Sequence, residues 1–447
     1  MNLATTPRPR ATGDAAPRPG RARHPLRAEA VRGFAPWAGA AVLLTLATGL
    51  AATSEQWQGG WAETRDRVHA AAVLLGVPLA LAAGCWQGGR ERRRRTEELL
   101  ATASRGRTAG FLASALPLAL WVAAGYAAAA VLALCATWYC ATGDRPYLAT
   151  PLADAAALAS ASLAGQVAGR VVAWRLTAPL LAAAAYVGLG VLGYGDVGAV
   201  RYLSPLGDSS PTDVPVAWQP VVTAVWTGGL AAGAVLAYTA RRRTAALVPL
   251  AAAAVAGALL VQAGDGLRRA NPLAHRQVCD TSTTPHICVN ARYQKLLPQV
   301  RDALSGLTDR LDGVRNVPVR FEDLPGRPGP DEVELPMTTP IGWSVVRGRL
   351  TDPGEFAWAA GIMLQGRAEC ENPAPRVVRA DDAVEHYLAP SPLERYFDEQ
   401  RAARGELAPL TRARARLASM GEQERRAWLS AYFATRGDCD PKGVPAL

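Results

Sequence analysis

Through roughly the first 263 residues, long apolar runs alternate with short polar or arginine-rich connections; beyond Gly264 charges and prolines are spread as in a soluble domain. A helix rises 1.5 Å per residue, so roughly 20 apolar residues cross a bilayer core. Seven stretches meet that requirement: Pro36–Ala52, Ala70–Trp86, Phe111–Trp138, Leu152–Gly169, Leu176–Gly193, Trp218–Thr239 and Ala246–Ala263. Pro78 predicts a kink in the second, and the third is long enough to tilt. The fourth is the least apolar, with Asp154 near one end and Gln166 inside; near the interface an Asp costs less than at the bilayer centre. The expectation is an α-helical polytopic membrane protein of about seven transmembrane helices, its domain spanning residues 25–263.

Before the first run, Met1–His24 is rich in Pro, Arg, Ala and Gly, lacks a hydrophobic period and is expected to be a disordered arm. Leu26, Ala30, Val31 and Phe34 recur at helical spacing between Arg27, Glu29 and Arg32. A short interface helix and a plain basic flank both fit.

After the seventh run, residues 264–447 read as a domain of mixed structure. Tyr293, Leu296, Leu297, Val300, Leu304, Leu307 and Leu311 mark one face of a helix over Ala291–Leu311. Val317–Glu322 and Glu332–Met337 alternate like strands around the turn-rich Pro325–Pro330. Further helices are expected over Glu355–Leu364, Ala380–Leu388, Pro392–Ala403 and Glu406–Phe433, the last broken near Gly421. The reading is a soluble α/β or α-rich globule large enough for its own core.

Composition agrees with this division. Of the 447 residues, 50% are hydrophobic and 19% charged, against about a quarter charged in soluble proteins. The net charge of +10 comes from arginines gathered at the ends of apolar runs, with no interleaved aromatic patch. That arrangement argues against nucleic acid as a partner and for orientation signals in a lipid bilayer.

Counting all seven spans, the arginine-rich arm, Arg90–Arg107, Arg170–Arg175 and Arg241–Arg243 fall on one side. The connections Thr53–His69, Ala141–Pro151 and Tyr194–Ala217 fall on the other. The N-terminus is therefore expected in the cytoplasm and the C-terminal domain outside a cell membrane, with Arg268 and Arg269 the exception to the charge rule.

The seven cysteines supply an independent signal. Cys85, Cys135 and Cys140 lie in or beside spans, whereas Cys279, Cys288, Cys370 and Cys439 all follow the seventh. An even number in an outside domain suggests two disulfides. Cys279 and Cys288 flank a short polar loop and are expected to pair, worth roughly 2.7 kcal/mol by loop-closure entropy. Cys370 with Cys439 follows by elimination. A four-cysteine metal site is the alternative, although the spacings match no zinc motif.

Candidate chemistry is sparse. No Gly-x-x-x-x-Gly-Lys-Ser/Thr loop, His-Glu-x-x-His helix or Gly-x-Ser-x-Gly turn occurs, and no enzyme activity or cofactor is expected. Asp381, Asp382, Glu385 and His386 share a helix as a metal or base pair would, or simply as a solvated face. Gly165–Gly169 and Gly229–Gly233 are small-residue packing motifs, and Gln166 fits an interhelical hydrogen bond.

Between the second and third runs lies Arg90-Glu-Arg-Arg-Arg-Arg-Thr-Glu-Glu-Leu-Leu-Ala-Thr-Ala-Ser-Arg-Gly-Arg107. Thr96 can cap a short helix, with Glu97 and Glu98 favoured at its positive end and Leu99 and Leu100 projecting from one side. Glu91, Thr96, Glu98, Leu99, Leu100, Ser104 and Arg105 resemble the corresponding loop of the permease subunits of bacterial type-2 ABC exporters. Arg95 stands where that family has Gly, and Ala103 where Pro is common. The resemblance covers roughly the first 243 residues; the seventh span and outside domain are additions to the family plan. It implies a pore-forming subunit that works as a homo- or heterodimer of permeases. A separate ATP-binding subunit would contact Thr96, Glu97, Glu98, Leu99, Leu100 and Arg105. The same loop also reads as an orientation signal alone. Independent of that resemblance, a membrane-anchored extracytoplasmic binding or sensing protein is the alternative function.

Overall fold

The computed structural model describes residues 31, 33–93, 106–141, 143–172, 174–206, 212–339, 344–367, 370–371, 373–439 and 442–447. The loop residues Thr96, Glu97, Glu98, Leu99, Leu100 and Arg105 lie outside these, as do Met1–His24 and most of Leu26–Phe34.

The chain is mostly helical, and six helices are long and apolar enough to cross a membrane. Helix α1 spans Ala35–Ala52, α2 Trp61–Gly88 and α3 Arg107–Cys140. Helix α4 spans Ala149–Val171, α5 Thr177–Tyr194, α6 Gln219–Thr239 and α7 Leu247–Ala263. In α2 a π turn over Ala72–Gly76 directly precedes Pro78. The proline ring removes the N–H that would bond the carbonyl four residues back, and the wider turn absorbs that loss. Helix α3 has 34 residues, about 51 Å of rise, which exceeds a bilayer core and carries its end out to the C-terminal domain.

The helix that is not among the six is α4, and its packing explains its composition. It lies against α2, α3 and α6 and buries Asp154, Ser160, Ser162 and Gln166. A helix enclosed by protein on several sides needs complementary neighbours more than an apolar surface. The seam with α2 is built on glycine. A Cβ on Gly165 would stand 2.2 Å from the Leu81 carbonyl oxygen, and one on Gly169 2.0 Å from that of Cys85. The Gly165–Gly169 pair thus serves contact within the chain. By contrast, α5 buries only Ala178 and lies at the edge of the bundle.

Contacts at the helix ends fix which connections lie together. Arg92 Nη2 donates to the Arg170 carbonyl (2.9 Å), and Thr108 Oγ1 bonds Thr239 Oγ1 (3.2 Å). The arginine-rich ends of α2, α4 and α6 therefore share one end of the bundle. At the other end, strand β1 (Asp213–Pro215) pairs antiparallel with β2 (Arg268–Ala270), tying the α5–α6 connection to the chain leaving α7. Arg268 and Arg269 belong to this two-stranded clamp.

Beyond it, β3 (Gln277–Asp280), β4 (His286–Asn290), β5 (Arg320–Glu322) and β6 (Glu332–Glu334) form one sheet in sequence order. The β3–β4 pair is antiparallel, with Cys279 opposite Cys288; the other two pairs are parallel. A parallel neighbour requires a crossover, and helix α8 (Leu297–Leu311) supplies it, burying Val300, Leu304, Leu307 and Leu311.

Five helices complete the domain: α9 Pro353–Gln365, α10 Pro375–Leu388, α11 Glu394–Ala403, α12 Leu407–Ser419 and α13 Glu422–Phe433. Ile287, Leu304, Phe321, Phe356, Leu417 and Tyr432 belong to one continuous core. Disulfides join Cys279 to Cys288 and Cys370 to Cys439. The hairpin over Gln277–Asn290 was not anticipated, because its strands are four and five residues long and contain few alternating apolar positions.

Candidate functional site

The end of the bundle that carries the C-terminal domain holds an unusual set of buried polar groups. Helix α2 brings His69 there, α4 brings Asp154 and α3 brings Tyr126. His69 Nδ1 lies 2.7 Å from Asp154 Oδ1, and the Tyr126 hydroxyl donates to Asp154 Oδ2 at 3.0 Å. His69 Nε2 lies 3.0 Å from the carbonyl oxygen of Leu206, in the connection between α5 and α6. A carbonyl can only accept, so Nε2 carries a hydrogen. A further proton then lies between Nδ1 and Oδ1, on the imidazole or on the carboxyl. Asp154 and Tyr126 are 3% and 1% exposed, so this proton is held where bulk water does not compete for it.

Above the pair lies a cavity of about 340 Å³. Arg65, Asp66, Tyr202 and Arg268 line it together with His69 and Asp154. Arg65 Nη2 reaches the Asp213 carbonyl of β1 at 3.0 Å, so the clamp strands also form part of its wall. The lining combines both signs of charge with hydroxyls and apolar surface.

Beside the cavity the C-terminal domain docks through a second buried group. Glu63 lies in the first turn of α2, where a carboxylate is favoured by the helix dipole. Arg292 Nη2 and the Tyr293 hydroxyl both donate to Glu63 Oε1 at 2.5 Å. Burial, followed by the Glu63 charge, pushes the Tyr293 phenol well above its usual range, so it remains a donor. Lys295 Nζ adds a bond to the Ala141 carbonyl at 2.8 Å. The turn Ala291–Leu296 is thereby seated on the ends of α2 and α3.

The residues singled out earlier separate into different environments. Asp381, Asp382, Glu385 and His386 do share α10, but each faces its own partner. Asp382 accepts from Arg414 Nε (2.7 Å) and Nη2 (2.9 Å) and from Arg401 Nη1 (2.9 Å). Asp381 accepts from Arg367 (2.7 Å) and the Tyr432 hydroxyl (2.6 Å), and Glu385 from the Trp358 indole (2.7 Å). His386 Nδ1 lies 2.6 Å from Glu394. Among the described residues, no three His, Cys, Asp or Glu side chains are grouped to hold a metal. Gln166 Nε2 donates to Ser114 Oγ of α3 at 2.8 Å, an interhelical bond.

His69 carried no sequence signal beyond its residue type. Asp154 did carry one, an ionisable group in an otherwise apolar stretch. Its partner lies 85 residues away, which no local pattern reports. No protein family, curated protein or solved structure matches this chain.

Proposed function

We propose that the chain is an integral membrane transport subunit, with the cavity above His69 and Asp154 as its solute-facing chamber. One observation carries the proposal: an ionisable pair, with a tyrosine hydroxyl on its carboxylate, is buried among apolar helices at the floor of a cavity of mixed polar and apolar lining. Such a group is costly inside a bilayer unless it is used. The arginine-rich end of the bundle faces the cytoplasm in this reading, and the disulfide-bearing domain lies outside, over the chamber. Energy comes from a separate ATP-binding subunit, met through Thr96–Leu100 as in the exporter permeases this loop resembles. The sequence itself has no phosphate loop, consistent with that division of labour.

The transport reading predicts an ATPase encoded beside this chain, and the test is reconstitution of the full chain with it. Asp154→Asn preserves shape and is expected to lower solute-stimulated ATP hydrolysis at least about tenfold, the scale of losing a buried charge-assisted contact. The double change Glu98→Ala with Leu99→Ala is expected to abolish the stimulation altogether. Wild-type stimulation in Asp154→Asn would remove the chamber, and co-purification failure would remove the ATPase.

A membrane-anchored binding or sensing protein is the second reading. It is favoured by the C-terminal domain having a core of its own, from Ile287 to Val444. That reading predicts ligand binding by a secreted Ala274–Leu447 fragment with no spans attached.

A further inference from the structure

A second opening, chemically unlike the polar chamber, runs along the outside of the bundle between α1 and α3. The two helices meet backbone to backbone at Gly39 and Gly125: a Cβ on Gly125 would lie 2.2 Å from the Gly39 carbonyl oxygen. Farther toward the C-terminal domain, alanines face each other instead. Ala47 and Ala51 of α1 stand opposite Ala129, Ala133 and Ala136 of α3, and their methyl groups leave a groove of about 720 Å³. Leu50, Trp57 and Leu132 add to its apolar lining, which Gln58 and Tyr139 complete.

Of the described residues that line the groove, Arg347 alone is charged, and it comes from the C-terminal domain. It sits at the tip of the hairpin formed by β7 (Val345–Val346) and β8 (Arg349–Leu350). Its Nε donates to Gln58 Oε1 at 2.8 Å and its Nη2 to Ser54 Oγ at 3.3 Å, leaving the rest of the guanidinium fork at the mouth. The tip is held in place by a close approach: a Cβ on Gly59 would stand 2.7 Å from the Gly348 nitrogen. Arg347 and Gly348 have φ of +52° and +72°. A two-residue turn with both φ values positive favours Asn-Gly, and a long side chain at the first position is a local cost. The arginine at this position directs its side chain to Gln58 and Ser54 at the edge of the groove.

We propose that this groove is a binding site for an anionic phospholipid, with an acyl chain between α1 and α3 and the headgroup phosphate on Arg347. The groove is apolar along its length and opens beside the exposed Leu132, and the one charge among its described lining residues is complementary to an anionic headgroup. The site adds to the transport proposal and shares only its membrane premise. It also makes the C-terminal domain a reader of the lipid, since the cation belongs to that domain and the groove to the bundle.

The experiment uses the full chain, taken from vesicles of equal phosphatidylglycerol and phosphatidylcholine, with retained lipid measured by native mass spectrometry. Wild-type protein is expected to retain phosphatidylglycerol with a roughly fivefold preference, the scale of one arginine at a membrane surface. Arg347→Asn suits the turn better than arginine, so it is expected to stay folded while the preference falls to about one. Ala136→Phe fills the groove and is expected to reduce retention of both lipids, with Arg347 still present. Equal retention of the two lipids by the wild type, or an unchanged preference in Arg347→Asn, overturns the proposal. So does a tightly associated second copy that occupies the groove with no lipid retained. Failure of the chain to enter vesicles at all would instead overturn the membrane premise.

Discussion

The bundle and the C-terminal domain both bury carboxylates, and they treat them differently. In the domain, Asp382 is met by the guanidinium groups of Arg414 and Arg401, and Asp381 by Arg367 and Tyr432. Arginine does not lose its proton at any ordinary pH, so each of these carboxylates faces a permanent cation that braces it against the rest of the domain. In the bundle, Asp154 is met by a histidine and a tyrosine. Neither partner, an imidazole or a phenol, carries a permanent charge. The comparison teaches that burial alone does not mark a site; the kind of partner does. One carboxylate set is matched to permanent cations, and the other carboxylate to groups without a permanent charge.

The largest effect is expected from breaking a brace. Arg414→Ala leaves Asp382 buried with Arg401 as its remaining partner, and should destabilise the domain by about 3–5 kcal/mol. Chemical denaturation followed by Trp428 fluorescence would measure it, since Trp428 lies in the same core. A cost below about 1 kcal/mol would make the cluster an ordinary surface network.

A matched pair of tyrosine deletions sharpens the contrast. Tyr126→Phe removes the donor to Asp154 Oδ2 inside the bundle, with an expected cost of about 1–3 kcal/mol for a buried acceptor left unmet. In Tyr432→Phe, Asp381 keeps Arg367, so the net loss of one hydrogen bond, about 0.5–1.5 kcal/mol, is expected. Thermal unfolding of the full chain in one lipid environment would rank the two. The reverse order would show that Asp154 is better satisfied than His69 and Tyr126 make it.

The smallest effect is in the domain's response to acid. Burial holds the Glu322, Asp323, Asp381 and Glu385 carboxyls above the usual carboxylate range. A carboxyl raised in this way binds its proton more tightly folded than unfolded. Its contribution is present below the ordinary carboxylate value and is lost as pH rises through the raised value. Bonds from Ser282 hold Asp280 below the usual range, and bonds from the Gly329 N–H and Arg320 do the same for Glu332. Their contribution is present above the ordinary value and is lost as pH falls through the lowered one. The domain should therefore melt highest in mild acid, declining toward neutrality as the raised groups ionise and declining in strong acid as the lowered groups take up protons. Asp323→Asn should flatten the decline toward neutrality, because it removes one raised group while Thr338 and the Asn290 N–H still have an acceptor. A melting curve against pH that keeps its full slope would assign the decline elsewhere.

Much of the architecture was legible from spacing. Apolar runs of helical length located α1 and α3 to α7 within a few residues, and the leucine period of residues 296–311 located α8; α2 begins at Trp61, nine residues before its apolar run at Ala70, because Glu63, Arg65, Asp66 and Arg67 interrupt the apolar pattern. These are local signals, written at 3.6-residue spacing within one segment. The loop Thr96–Leu100 falls outside the described residues, and its motif is a reading of the sequence alone.

What the sequence determined alone is the set of apolar helices, the arginine-rich turns between them and the cysteine-bearing domain that follows. Each depends on residues close together in the chain. The tertiary structure decided which buried polar groups meet. It brought His69 to Asp154 and Tyr126, set Arg292 on Glu63 and placed Arg347 at the mouth of a groove formed by two other helices. It also turned the weakly apolar α4 into an enclosed helix whose polar residues have partners. The physical reason is that hydrogen bonds and ion pairs require angstrom-scale placement of groups tens to hundreds of residues apart, and only packing, here allowed by bare glycine seams, supplies that placement.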